Sequence, residues 1–484
     1  MNNLNSLMLN GISKIGPDLR WMLARIAPAV LLLLVAMRIN AQAPTPPPGQ
    51  APTPAPAPAT ATSSAQPPTK LPMDLTLRQA LDIALMNSTN LRSAQAELEQ
   101  AGGRYESGKG TLLPQIGIFA RQGYQTVNTQ GFGLDIPGQP AKIGPFGSMD
   151  ARLVLEQDLL NIANFRSSKS YSTRRDSSRL RVEDAREVVT LNVVGAYLQA
   201  MRAKASRNTL IDQTKLANDL YQITSDRFKQ GVSSELDQNR SQQQVNSLEQ
   251  QRQEAEYAYI AAKLTLANII GAGISSDFEV SDQTSYGSDE TVEAQATIQA
   301  ALAQRPDYRA AQAAVRAAEL EVKSIEATRL PTLKMRLSDG QSGNSPVHNV
   351  NVYNLMGVLE VPLFTSGRIS GEVHEAQGKL SDANASLDKS RAQIETDALS
   401  AVSGVEWALR EVKTSAENVG LSRREVEMSR ERFVQGISDN TEVVNAQDRL
   451  TRADDASIRA QYTLGLARAN LARATGGAER GYRK

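Results

Sequence analysis

Few side chains in this 484-residue sequence are equipped for covalent chemistry. Cysteine is absent, so no thiolate nucleophile, disulfide or thiolate metal site can form. His348 and His374 are the only histidines and read as surface or loop residues rather than a catalytic or metal centre. No Gly-rich phosphate loop and no cluster of metal-ligand spacing is found. The acids are more informative. Glu156 and Glu360 stand 204 residues apart, at matching places in two halves of the chain. A carboxylate pair could hydrolyse a glycosidic bond, but that needs a substrate cleft, and no aromatic platform accompanies these two. Each lies instead in a segment of period two. Asp150, Arg152 and Glu156 alternate with Met149, Ala151, Leu153 and Leu155; Lys334 and Arg336 alternate with Leu333, Met335 and Leu337; Glu360 ends a run whose other face holds Tyr353, Leu355 and Leu359. Such alternation places the six charged residues on one face of extended chain. A face of that kind is stable against water, not in a dry core. The expected task is therefore to line an aqueous lumen; no catalytic, cofactor-binding or metal-binding residue is expected.

Four dyad segments carry these faces: 116–121, 149–156, 333–338 and 353–361. The connections 123–148 and 339–350, rich in Gly, Pro, Asn and Gln, read as loops. Four strands cannot close a barrel alone. They are either half of a sandwich sheet or one share of a barrel built by several chains. The remaining sequence, rich in Ala, Gln and Arg, offers little bulky cover for a sandwich, whereas apolar-out, polar-in dyads suit an outer-membrane barrel.

The chain is also duplicated. Ala84, Leu85, Ala94, Gln95, Ala96, Ala101, Thr111, Leu113 and Pro114 recur, at an offset of 217, as Ala301, Leu302, Ala311, Gln312, Ala313, Ala318, Thr328, Leu330 and Pro331. Arg227, Phe228, Gln230, Gly231, Ser233, Tyr257, Ala267 and Gly271 recur, at an offset of 205, as Arg432, Phe433, Gln435, Gly436, Ser438, Tyr462, Ala472 and Gly476. Helical spacing begins near Thr76, breaks at Asn87–Asn90 and resumes to about Gly110; the second copy breaks at Arg305-Pro306, with Asp307 in the new first turn. After each strand pair comes a run without proline, 164–230 and 369–435. Each is about 67 residues, or roughly 100 Å of helix. Gly231 and Gly436 stop these helices, and return helices are expected over 234–270 and 439–475. Ser438 or Asp439 caps the second return helix, with Glu442 as a first-turn carboxylate. Small side chains permit close, coiled-coil packing.

Aromatic residues make up only 5% of the chain, which suits long helices better than large globular cores. Lys+Arg number 53 and Asp+Glu 52, so the near-neutral balance points to no nucleic acid. Arg20 and Arg25, the apolar run Ile26 to Met37 and the Ala41-Gln42-Ala43 step read as a secretory signal over 1–43. The Pro/Ala-rich segment 44–73 reads as a disordered linker. The remaining boundaries are a first repeat at 74–271, a connection at 272–290, a second repeat at 291–476 and a tail at 477–484.

Taken in order, the signal, the duplication, the Leu-Pro steps into strands, Val361-Pro362-Leu363-Phe364 leading to Gly367-Arg368, and the twin Arg-Phe-x-x-Gly corners at Arg227–Gly231 and Arg432–Gly436 resemble the TolC-like outer-membrane efflux proteins. The likeness spans about residues 74–476. It implies a mainly α fold with a β-barrel part: a homotrimer in which each chain gives four strands to a twelve-stranded barrel, while the helical hairpins form a tunnel through the periplasm. It implies outer-membrane lipid, a periplasmic adaptor protein and an inner-membrane pump as partners, and no chemistry in the duct itself. It places adaptor docking at the hairpin tips, Arg227, Phe228, Gly231, Arg432, Phe433 and Gly436. It places the pore constriction at Glu442, with Asp237 as its counterpart in the first hairpin and Asn445 where relatives carry a second acid. A periplasmic adaptor is the first rival, but would need one hairpin and a Gly-rich β module; a coiled-coil envelope scaffold is the second, but would lack the signal and the dyad strands.

Overall fold

A computed structural model describes residues 72–128, 133, 142–273, 277–281 and 293–483. The proposed signal and nearly all of the linker lie outside the described residues. The described elements, in chain order, are β1 (Asp74–Leu75), α1 (Leu77–Asn87), α2 (Thr89–Gly110), β2 (Gln115–Asn128), β3 (Lys142–Leu160), α3 (Ile162–Lys229), α4 (Glu235–Ile270), β4 (Glu279–Val280), α5 (Ala294–Gln304), α6 (Pro306–Glu326), β5 (Thr332–Gly343), β6 (Asn349–Glu360), α7 (Arg368–Val434), α8 (Asn440–Ala474) and α9 (Ala478–Tyr482).

The helix breaks fall where local chemistry puts them. Thr76 caps α1 in a reciprocal box with Gln79, and Ser88 both ends α1 and caps α2 through Leu91 N–H. Pro306 opens α6 at a position where its missing N–H costs nothing. The two long helices, α3 of 68 residues and α7 of 67, run unbroken. Along α7, Ile394, Ala398, Ala401, Val405 and Ala408 are buried, and the three- and four-residue steps continue to Val426, Ser429 and Phe433. That is the 3.5-residue repeat of a coiled-coil seam, made with small residues. α7 lays it against α8, and α3 packs likewise on α4.

The four long strands form one antiparallel sheet in the order β2-β3-β5-β6. Its helical continuation keeps that order: α2 packs on α3, α3 on α6 and α6 on α7. Toward the corners the order becomes α4-α3-α8-α7. A second, two-stranded parallel sheet pairs β1 with β4, an element that the sequence pattern does not announce. It is fixed on the main apolar core by Tyr197, whose hydroxyl donates to the Leu75 carbonyl at 2.9 Å, and by Lys263 and Lys204, which donate to the Phe278 and Val280 carbonyls. That core gathers Leu81, Val193, Tyr259, Leu266 and Ile270 from α1, α3 and α4.

Two expectations need correction. The segments 123–148 and 339–350 are not loops throughout: β2 runs on to Asn128, β3 starts at Lys142, β5 reaches Gly343 and β6 begins at Asn349. Ladder hydrogen bonds hold these Gly- and Gln-rich stretches in register. Most of the β2–β3 connection lies outside the described residues. The tail is not featureless either, because Ala478–Tyr482 forms α9 against α3.

Candidate functional site

The register decides which side chains of the sheet share a face, since directly paired residues point the same way. Gln115 pairs with Glu156, Glu156 with Arg336 and Arg336 with Met356. Asp158 pairs with Lys334, Thr332 with Glu360, and Arg152 with Phe119 and Gly340. Asp150, Arg152, Glu156, Lys334, Arg336 and Glu360 therefore lie on one face. Ile116, Ile118, Met149, Ala151, Leu153, Leu155, Leu333, Met335, Leu337, Leu355 and Leu359 lie on the other. The charged face is partly self-neutralised: Arg336 Nε lies 3.1 Å from Glu156, and Arg152 pairs with Asp150. The opposite face holds exposed apolar side chains with nothing against them, Ile116, Ile118 and Leu359 among them. No helix among the described residues is long and apolar enough to cross a membrane. The apolar surface of a span belongs to this sheet. Among the described residues, both outer strands, β2 and β6, leave a ladder edge unpaired.

At the far end of the long helices, the corners are built by one rule. Gly231 and Gly436 take φ of 75° and 76°. Gly231 N–H donates to the Phe228 carbonyl and Val232 N–H to Arg227; Gly436 and Ile437 repeat this on Phe433 and Arg432. These are paired Schellman bonds, and they explain why Gly recurs at this position: it supplies the left-handed turn, while the accepting carbonyls are main-chain groups. Ser234 and Asp439 then cap α4 and α8.

The same local frame carries different cross-links. Arg227 leaves its own hairpin, donates to the Phe433 carbonyl at 2.6 Å and stacks its guanidinium 4.8 Å from the Phe433 ring. Arg432 stays at home, 3.3 Å from Glu442. Phe433 is 4% exposed and packs with Leu220 and Val443, whereas Phe228 is 40% exposed. Asp237 is the acceptor of a capping box, taking hydrogen bonds from Ser234 N–H and its hydroxyl. Asn445 is exposed on α8. Sequence reasoning missed Asn440 and Arg240. Asn440 is fully buried and donates to the Asp237 carbonyl at 2.9 Å and the Ser241 hydroxyl at 2.6 Å. Arg240 donates to Thr441 Oγ1 at 2.8 Å. Farther up, Gln244 meets Asp448 at 3.0 Å and Gln213 meets Asp454 at 2.9 Å. The two hairpins of one chain are thus joined near their corners by polar contacts together with two small apolar clusters, Leu220 with Phe433 and Val443, and Leu216 with Val426, Ala446 and Leu450. The only available signal was the unequal pair of repeat positions, Arg240 against Asn445 and Glu235 against Asn440.

A second charged cluster, likewise missed, sits where both repeats meet α9. Arg305, 5% exposed, is shared between Asp307 and Asp397. Arg473 pairs with Asp184, and Arg186 with Glu479. Glu187 accepts the Ala478 N–H at 2.8 Å. Burial pushes the Glu187 carboxyl above its ordinary value, against the pull of the Ala478 and Glu479 amides. Arg186 holds the Glu479 carboxyl below its own. Opposing charges and amide donors pair through most of the cluster, Arg473 Nη1 excepted, which is the pattern of a structural clamp.

Comparison with known proteins agrees with this geometry. The family model described as "Outer membrane efflux protein" matches residues 80–272 and 297–477. The pyoverdine export outer membrane protein OpmQ of Pseudomonas putida is 26% identical over 417 residues, covering 83% of this chain and 86% of that protein. The alkaline protease secretion protein AprF of Pseudomonas aeruginosa is 24% identical, covering 80% and 82% respectively. The Campylobacter jejuni CmeC outer membrane channel superposes with a TM-score of 0.73 at 19% identity, over 83% of this chain and 86% of that one.

Proposed function

Because the chain belongs to the outer membrane efflux protein family, we propose that three copies assemble into one exit duct, a passive conduit whose cargo is driven by an inner-membrane pump. The observation that carries this is the sheet with two open edges, one charged face and one bare apolar face. Edge β6 of one copy closes on edge β2 of the next, which removes both edges and gives a barrel of twelve strands if all three copies contribute four. The apolar face meets outer-membrane lipid. Asp150, Arg152, Glu156, Lys334, Arg336 and Glu360 line the aqueous lumen. The long helices carry the duct into the periplasm. OpmQ is named for pyoverdine export and AprF for alkaline protease secretion. A water-filled duct with no binding pocket chemistry suits either.

The corners, in this proposal, are where the duct is gripped and held shut. Arg227, Phe228, Gly231, Arg432 and Gly436 form the surface offered to a periplasmic adaptor, with Phe433, buried against Leu220 and Val443, supporting it from beneath. A threefold ring of Glu442 gives the mouth a negative potential that favours cations. Asp237, already engaged as a helix cap, contributes by holding α4 in place, and Asn445 adds no second acidic ring. The test of the duct is heat-modifiable migration of the detergent-extracted envelope protein, together with the size of the unheated species. A trimer that collapses to monomer on boiling is expected; a soluble monomer obtained without detergent overturns the proposal.

A further inference from the structure

Among the described residues, the long helices run in the order α4-α3-α8-α7 toward the corners, so that α4, which also meets the short α1, and α7, which also meets the short α5, are the outer members. Both carry exposed apolar side chains. On α7, Trp407 is 52% exposed. On α4, Tyr257 is 75% exposed, Ile260 39% and Leu264 36%, an i, i+3, i+7 patch on one stripe.

Contacts within the chain fix how high each residue stands above the corners. Across the second hairpin, Arg432 meets Glu442 and Arg449 meets Glu425, while Val405 and Ala408 pack with Leu464 and Ala467. Trp407 is therefore level with about Leu466 of α8. Between hairpins, Asn440 meets Asp237 and Gln244 meets Asp448. Leu466 is therefore level with about Ala262 of α4. Trp407 and the Tyr257–Leu264 patch thus share one height on opposite edges of the same chain. Rotation about a threefold axis along the duct leaves height unchanged, so these are surfaces that assembly brings together. Charge agrees with the match: exposed Lys413 on α7 stands within about one turn of the level of exposed Glu254 on α4.

We propose that Trp407 of each copy inserts into the Tyr257–Ile260–Leu264 patch of the neighbouring copy, forming three aromatic seams that close the wall of the tunnel. This rests on the threefold assembly proposed above. The seam makes the interface heterologous, edge to opposite edge, the arrangement that generates a closed ring. A buried Trp in a Tyr-lined pocket is also the kind of contact that concentrates interface energy.

The absence of cysteine provides a clean test. The full chain carrying both Trp407→Cys and Ile260→Cys is extracted in detergent, oxidised and run on a denaturing, non-reducing gel. Covalent dimers and trimers are expected, because a disulfide needs Cα atoms within about 7 Å. Two helices separate the residues within one chain, so an intramolecular bond does not compete. The pair Trp407→Cys with Asn246→Cys, misaligned by about 24 Å of helix, should stay monomeric. Monomer from the first pair, in a sample that an amine-reactive crosslinker still locks as trimer, overturns the seam and leaves the trimer standing. Monomer by both routes overturns the trimer, and the seam with it. Should Trp407→Cys prevent assembly, the unaltered chain gives a second measurement. Trp407 is one of two tryptophans, the other being Trp21 in the proposed signal. Its emission in the trimer should be shifted to shorter wavelength and shielded from acrylamide. Quenching equal to that of the unfolded chain would overturn the seam.

Discussion

At the first corner Phe228 lies open to solvent and Arg227 reaches away to the other hairpin; at the second, Phe433 is buried and Arg432 turns back to Glu442. Both corners share the same glycine, the same Schellman bonds and the same residue spacing. Duplication supplied one local device, and the difference in use comes from what surrounds it. The first corner is the giver of a tether and the second its receiver.

Substitutions that treat the corners alike should therefore give unlike results. Arg227→Ala removes a charged hydrogen bond and a ring contact, a loss of roughly 1.5–3 kcal/mol. It should raise the open fraction of single channels in a planar bilayer at least about tenfold, with Arg432→Ala having a much smaller effect because its exposed ion pair is worth under about 1 kcal/mol. Equal effects would erase the distinction between giver and receiver. Gly436→Asp comes next. It forces a side chain into left-handed backbone, a strain of about 1–2 kcal/mol. Its Cβ would also lie 3.9 Å from the Arg227 guanidinium, while Gly231 has open space around it. The second-corner variant should lower drug tolerance more than Gly231→Asp does, at equal amounts of outer-membrane trimer; unchanged tolerance in both would count against docking there. Glu442→Gln should reduce cation over anion selectivity by less than about threefold, since its carboxylate is partly solvated, whereas Asp237→Asn should leave selectivity alone and weaken the α4 cap.

The smallest effect concerns pH and lies away from the corners, in the α9 clamp. Glu187 has a raised folded value, so the folded chain takes up its proton before the unfolded chain does. Between that value and the ordinary 4.5, stability from this group rises as pH falls. Glu479 is opposite in sign: its contribution is present above 4.5 and is lost as pH falls through its lowered folded value. Glu187→Gln should then be at least as thermally stable as the parent at pH 7, with that advantage shrinking as pH falls through the raised value of Glu187. An advantage that grows on acidification would show that the carboxylate is held ionised.

The corners could be read from sequence because their bonds are local: four residues settle a helix stop, and the duplication displays the pattern twice. The faces of the strands were legible for the same reason, since period two needs no partner. What stayed hidden depends on register between distant segments. Asn440 and Arg240 acquire meaning only when α8 is laid beside α4, and β1 only when β4 arrives from some two hundred residues later. The strand extensions into 123–148 and 339–350 escaped because their backbone, rather than their side chains, carries the pairing. The α9 clamp escaped because five residues show no periodicity and its charges resemble a solvated tail.

The unpaired rims of β2 and β6 also bear on the life of a newly exported subunit. Until its neighbours arrive, each copy presents two bare templates for strand addition beside an apolar sheet face. Such a species is an aggregation hazard. Closure needs three molecules to meet, so dilute subunits linger longest in this state. Overexpression should therefore yield inclusion material before it yields more pores.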